Sequence, residues 1–463
     1  MNLAQALRLG TTPCLALVGA GGKSTALFHL ARELPPPVIV TATTHLHMDQ
    51  IILADSHWIG EKPEDLAGLE ENLRGVMLVT GMVDGDRTTG LNNNLLSWLR
   101  EVCDSHNLPL LIEADGSRQR PLKAPAVPEP VIPEFVETVV VVAGLSGLGK
   151  PLVEEFVHRP AIFARLSGLR LGETITPEAI TRVLTHPSGG MKNIPPQARR
   201  IVLLNQADTP ALQAFAKGMA EQLRSSFHAV LIASLNPQSS IINHQSIIYA
   251  VYEPVAGIIL AAGGSSRFGQ PKPLLDWQGK PFVCAVVETA LAGGLSPVLV
   301  VTGANAEQVK AVVRDFPVII AHNAGWQNGQ STSIQTGLRS LPPPPLREVS
   351  PPSLGFVGGW QEVGAAIFLL ADQPQVTPTV LHALTKEHAR TLAPIVAPLV
   401  AGQCANPVLF DRVTFPDLMA LRGDVGGRAI FSRVPVNYLP WYDESLLSDV
   451  DTPEEYTKLV NGK

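Results

Sequence analysis

The chain has 463 residues, 45% hydrophobic and 16% charged, with a formal net charge of −6; it is too long for one ordinary core, and its composition excludes global disorder. The mild charge and the lack of any lysine or arginine run exclude a nucleic-acid surface. Cys14, Cys103, Cys284 and Cys404 form no CxxC pair, and the opening MNLAQALRLG lacks a signal-peptide pattern, so a cytoplasmic protein with neither a zinc knuckle nor a membrane partner is expected.

In chain order, the apolar run at residues 14–18 feeds Gly19-Ala20-Gly21-Gly22-Lys23-Ser24-Thr25, and residues 26–33 take helical spacing. Strand, glycine loop and helix in that order suit a phosphate loop. Gly21 and Gly22 would free backbone N–H groups, Lys23 would reach a phosphate, and Ser24 would serve a metal ion. Leu17 stands where a full motif has its first glycine, so a shortened phosphate loop and a plain tight turn are both open.

Residues 38–41 predict the next strand. It ends in a polar cluster with His45 and His47, which read either as substrate or phosphate contacts beyond a strand's carboxyl end or as solvated loop histidines. Residues 109–112 lead into Glu113-Ala114-Asp115-Gly116-Ser117. Carboxylates at a strand tip are what a magnesium site requires, with Asp115 the candidate ligand, and solvated acids are the alternative.

Residues 118–133 carry five prolines and predict an extended crossing. The run VVVVA at 139–143 is a buried strand of a parallel sheet. It leads to GLSGLGK at 144–150, where Pro151 replaces the hydroxyl a second phosphate loop needs. After a strand at 201–204, Asn205-Gln206-Ala207-Asp208 resembles the NKxD guanine-reading element with glutamine for lysine.

Together, VGAGGKST, TATTHLHM, IEADGSRQRPLKAP, GLSGLGKPL with VHRP, and LNQAD resemble the YqeC-type accessory proteins of selenium-dependent hydroxylases, over nearly all of residues 1–250. The resemblance implies an accessory role, with a molybdenum hydroxylase apoenzyme as partner. The residues themselves describe a P-loop-like α/β domain, 1–253, that binds a nucleotide or phosphate with Mg²⁺.

The boundary is expected near Pro254. Beyond it, residues 257–280 read GIILAAGGSSRFGQPKPLLDWQGK: a buried strand, then small residues, then two cations. Ala261, Ala262, Gly263 and Gly264 let the backbone close around phosphates, and Arg267 and Lys272 neutralise them, a fork and a point charge. A helix is expected at 279–292, a strand at 298–301, and a second helix through Leu338 after the hydroxyl-rich turn 328–334. Residues 341–362 are rich in proline and glycine and read as an inserted loop. The wholly apolar strand 365–370 ends at Asp372, a costly place for an acid without a cation.

LAAGGSSRFGQPK resembles the LAAGxSxRMGxxK signature of nucleotidyltransferases, most closely molybdenum cofactor cytidylyltransferases, and four further motifs follow in order through residue 460. The resemblance implies an α/β fold with a Rossmann-like, GT-A-like nucleotidyltransferase domain at 254–463. It also implies a Mg²⁺ held by Asp372 of ADQP and Asp451 of SDVDTP, and a nucleoside contact at Ser333. Asn406 of NPVLF would face the acceptor, with Asp424 and Arg428 of GDVGGR. The expected reaction joins CMP from CTP to molybdopterin. A sugar-1-phosphate nucleotidyltransferase, or a cofactor-delivery module with a nucleotide switch, is the alternative.

Overall fold

The computed structural model describes residues 1–235, 247–264, 268–342 and 363–461. They form two compact units, Met1–Tyr252 and Glu253–Lys463. The division falls one residue before the expected one, because Glu253 lies against the backbone of Gly364 and the adjacent Pro254 carbonyl accepts from the Gly364 N–H at 2.8 Å.

The first unit is built on a nine-stranded sheet of β1 (Cys14–Gly19), β2 (Val38–Ala42), β3 (Ser56–Ile59), β4 (Val76–Thr80), β5 (Leu110–Glu113), β6 (Thr138–Gly144), β7 (Arg199–Asn205), β8 (Ala229–Ser234) and β9 (Ile247–Tyr252). Their order is β9-β8-β7-β6-β1-β5-β2-β4-β3. All pairings are parallel except that of β8 with β9. Aliphatic and β-branched runs such as VVVVA are buried throughout, because helices cover both faces of a parallel sheet. β1 is central, with Leu17 opposite Val140 on one side and Glu113 on the other. The strand order reverses there, so the tips of β1, β5 and β6 open a crevice at the carboxyl edge. The proline-rich crossing holds no helix, only the short strand Leu122–Lys123.

The second unit contains β10 (Val255–Ala261), β11 (Val298–Thr302), β12 (Ile319–His322), β13 (Ala365–Leu370), β14 (Ile395–Val400), β15 (Gln403–Cys404), β16 (Val408–Asp411) and β17 (Val436–Trp441). The sheet runs β12-β11-β10-β13-β16-β14-β15, with β17 paired to β14. β10 is parallel to both β11 and β13, whereas β16 runs antiparallel to β13. Helix Phe282–Ala292 packs on one face of the sheet with Ile259 and Leu369, and helix Gln330–Arg339 on the other with Ile258 and Phe368. The carboxyl tips of β10 and β13 therefore face the loops between these layers. Among the described residues no helix is long and apolar enough to cross a membrane.

Candidate functional site

In the first unit, Gly21 and Gly22 take φ of 87° and 116°, a left-handed path that favours glycine. A Cβ on Gly21 would stand 2.4 Å from Gly144, and one on Gly22 2.3 Å from the Asn205 amide. The loop therefore lies on the tip of β6 and launches α1 (Lys23–Glu33), whose first turn has no side-chain cap.

Lys23 turns inward and is 3% exposed. Its Nζ donates to the Gly19 carbonyl at 2.8 Å and lies 3.3 Å from Asp115 and 3.8 Å from Glu113. Asp115 accepts from the Gly19 N–H at 3.0 Å and from Lys123 Nζ at 2.7 Å. Lys123 also donates to Glu129 at 3.0 Å, which Arg159 grips through both carboxylate oxygens at 2.7 and 2.8 Å. Buried charges persist only when alternated in this way. Ser24 donates to Glu113 at 2.7 Å. Burial raises the Glu113 carboxyl above its ordinary pKa, against the pull of Lys23 and Ser24.

In the second unit, Ala261, Ala262, Gly263 and Gly264 line an open cleft together with Trp326, Gln330, Ser333, Lys272, Asp372 and Asp424. Lys272 Nζ donates to Asp451 at 2.6 Å and lies 3.7 Å from Asp372. Asp451 is brought there by the helix Pro453–Asn461. Glu455 accepts from the N–H groups of Asp451 and Thr452 at 2.7 and 2.9 Å, and Tyr456 packs edge-on against Phe268 and donates to the Asp276 carbonyl at 2.9 Å. Gln373 donates to Asp449 at 2.8 Å and ties the same segment to the tip of β13. Burial raises the Asp372 pKa; Lys272 opposes the shift, and the carboxylates of Asp449 and Asp451 add to it.

The turn that carries Gln330 and Ser333 into the cleft depends on Gly329, whose φ is 99° and whose Cβ would stand 2.5 Å from Asp424. Asp424 accepts from the Gln330 N–H at 3.1 Å and so caps helix Gln330–Arg339, a favoured place for a carboxylate. Ser333 accepts from Asn323 at 3.0 Å. A second pocket shares Leu260, Gln330 and Leu370 with the first, and is lined by Phe368, Phe410, Asn406 and Arg428. Arg428 donates to Asn406 at 3.1 Å.

Residues 15–161 match the YqeC protein family, and residues 257–437 match the MobA-like NTP transferase domain. The first unit is 34% identical to the uncharacterized protein YqeC of Escherichia coli K12, across 42% of this chain and 75% of that protein. The second is 38% identical to a probable molybdenum cofactor guanylyltransferase of Bacillus cytotoxicus, across 45% of this chain and 98% of that protein. The chain joins a YqeC domain to a MobA-like NTP transferase domain. A nicotine blue oxidoreductase of Paenarthrobacter nicotinovorans is also 28% identical, across 44% of this chain and 96% of that protein. The relatives of the transferase unit thus carry unlike names, and the acceptor must be argued from the site's own chemistry.

Of the residues expected to act in the transferase unit, Ala261, Ala262, Gly263, Gly264, Lys272, Ser333, Asp372 and Asp424 meet at the first cleft, and Asn406 and Arg428 at the adjoining one. Arg267 lies outside the described residues, as do 343–362 of the expected insertion. Trp326 was missed. It precedes the turn by two positions, and its ring would lie 3.0 Å from a Cβ on Gly264, so it forms an aromatic lip over the cradle.

In the YqeC unit, Gly21, Gly22, Lys23 and Ser24 lie at a helix start, and Asp115, the expected metal ligand, is paired with lysines. The chain leaves β5 after Glu113 and folds Asp115 back onto Gly19 and two ammonium groups, which leaves Glu113 as the acid beside Ser24. Asn205 does not lie open to a purine either. Its amide donates to the Gly21 carbonyl at 2.8 Å and accepts from the Leu235 N–H at 2.9 Å, while Asp208 accepts from Ser234. His47 is held by Asp49 and Asp86, and among the described residues no group of three or more metal-binding side chains gathers.

Glu129 provides a test of the YqeC network. Burial pushes its carboxyl up, but Arg159 and Lys123 overcome this and hold it at about 2, from an ordinary 4.5. The folded-state value is depressed, so the stabilisation is full above the ordinary value and is lost as the pH falls toward 2. Glu129→Gln should therefore destabilise this unit by about 1–2 kcal/mol near neutral pH, once the shift is discounted for solvent screening of a half-buried group. Urea denaturation of both proteins across pH 2–7 checks this, with the gap closing in acid.

Proposed function

We propose that the transferase unit joins CMP from CTP to molybdopterin and releases pyrophosphate. The observation that carries this reading is the placement of Lys272 between Asp372 and Asp451 at the mouth of a glycine-walled cleft that opens into a second, partly aromatic pocket. A triphosphate fits the first space. A ring system bearing a phosphate fits the second, with Phe368 and Phe410 beside the ring and Arg428 at its polar end.

The acceptor phosphate oxygen attacks the α-phosphorus as the bond to the β-phosphate oxygen breaks, and the electron pair leaves with pyrophosphate. The attacking oxygen is already ionised, so charge compensation and positioning are what the site must supply. Lys272, with Arg267, would neutralise the phosphates. The gathering of two carboxylates at one cation fits a Mg²⁺, which Asp372 and Asp451 would hold, since this ion needs few protein ligands. When bound, it would neutralise charge on the triphosphate.

GTP in place of CTP is the second reading. It is favoured by the 38% identity to a protein named as a probable guanylyltransferase, whereas the LAAG sequence favours CTP by likeness to cytidylyltransferases. Competition between the two nucleotides for pyrophosphate release decides it. For the YqeC unit we read a nucleotide or phosphate site at Gly21–Ser24, acting as an accessory to the maturation of a molybdenum hydroxylase.

All the elements needed for transfer lie in residues 253–463. That segment alone should form the pterin dinucleotide from CTP, Mg²⁺ and molybdopterin, and Lys23→Ala in the full chain should spare transfer while weakening nucleotide binding to the YqeC unit. A folded but inactive 253–463 segment would place part of the active site in the first unit.

A further inference from the structure

Taking the metal reading of Asp372 and Asp451 as its basis, we propose that the Lys272 ammonium is a resident stand-in for the divalent cation, so that metal and nucleoside triphosphate bind cooperatively. The ammonium lies 2.6 Å from Asp451 and 3.7 Å from Asp372, inside the space a bridging cation would need. Both carboxylates extend from braced backbone. Asp372 stands at the tip of β13, and the Asp451 backbone is held by Glu455 and by the aromatic packing of Tyr456. The lysine carries its point charge on a flexible four-carbon stem, which allows it to shift toward another anion.

A bare dication meets that ammonium as a like charge, and neither yields space without losing its carboxylate contacts. A triphosphate in the adjoining cleft changes the balance. Its oxygens draw the ammonium off toward the wall of Ala261 to Gly264, and the vacated carboxylates then take the cation. The coupling is reciprocal, because whatever nucleotide does for metal affinity, metal does for nucleotide affinity. The same lysine thus keeps the carboxylates paired without substrate and neutralises phosphate with it. Free metal would therefore bind more weakly than metal that enters with nucleotide.

The test uses the full chain and Mn²⁺, with free ion read by electron paramagnetic resonance. Titrations are run without nucleotide and with a non-hydrolysable CTP analogue, and corrected for Mn²⁺ held by the analogue itself. Asp372→Asn defines the signal that belongs to this site. In the wild type the analogue should raise Mn²⁺ affinity by a factor on the order of 10 or more. Lys272→Met and Lys272→Gln should each bind Mn²⁺ alone about that factor more tightly than the wild type, with a smaller gain from the analogue. Both variants should keep the wild-type melting profile. If both fold and bind Mn²⁺ alone no better than the wild type, the exchange is overturned while the metal site stands. If Asp372→Asn binds Mn²⁺ as the wild type does in every titration, the metal site itself is wrong.

Discussion

Asp372→Asn should lower transfer by a factor on the order of 10³ at saturating substrate, because it would remove one of the two proposed cation ligands without changing the shape of the cleft. Its carboxyl sits above the ordinary aspartate range through burial and the neighbouring carboxylates, against the pull of Lys272. A group whose folded-state value is raised costs stability once it ionises, so replacing it with a neutral amide should leave the melting temperature unchanged or higher. Lost activity with a retained or raised melting temperature separates loss of chemistry from loss of fold. When metal is subsaturating, wild-type activity should decline on acidification at a higher pH than an ordinary aspartate would give, as protons compete for Asp372. Steady-state rates of pyrophosphate release against Mg²⁺ concentration, for both proteins, provide the measurement. Wild-type metal dependence in the variant would exclude Asp372 as a ligand.

Lys272→Ala is expected to cost a factor on the order of 10² or more in turnover. The side chain belongs to none of the hydrophobic clusters of the transferase unit, so the fold should persist. The loss should fall on turnover more than on KM, because charge shifts toward the pyrophosphate oxygens as the transition state forms. Near-normal turnover would remove Lys272 from the phosphate cradle.

The strands and their carboxyl tips were legible because chemistry and local structure coincide there. AAIFLL can only be a buried strand, and the acid two positions beyond it, Asp372, can only sit at its mouth. The run LAAGG is equally plain, since small residues after an apolar strand leave the backbone as the binding surface. Which acid meets which hydroxyl was not legible. Glu113 and Asp115 are two positions apart, and their roles separate only where β5 ends and the chain folds back onto Gly19. The pairing of Lys123 with Asp115 and Glu129, and the use of the Asn205 amide to brace the glycine loop, are tertiary contacts with no periodic signature. Trp326 lacked a signal for a similar reason, because its place over Gly264 is set by the turn that Asp424 caps from far downstream.

The contact between Lys272 and Asp451 joins positions 179 residues apart. Closing a loop of that length forfeits chain entropy that the pair itself cannot return, so the second carboxylate is expected to dock after the sheet and its helices have formed. Its carrier, helix Pro453–Asn461, is largely exposed and rests on a small aromatic cluster around Phe268 and Phe282. Such a segment opens at a lower free energy than the central strands. Chemistry that needs both carboxylates would therefore gauge complete folding: it would fail when the helix frays, while the strand that leads to Asp372 is still intact.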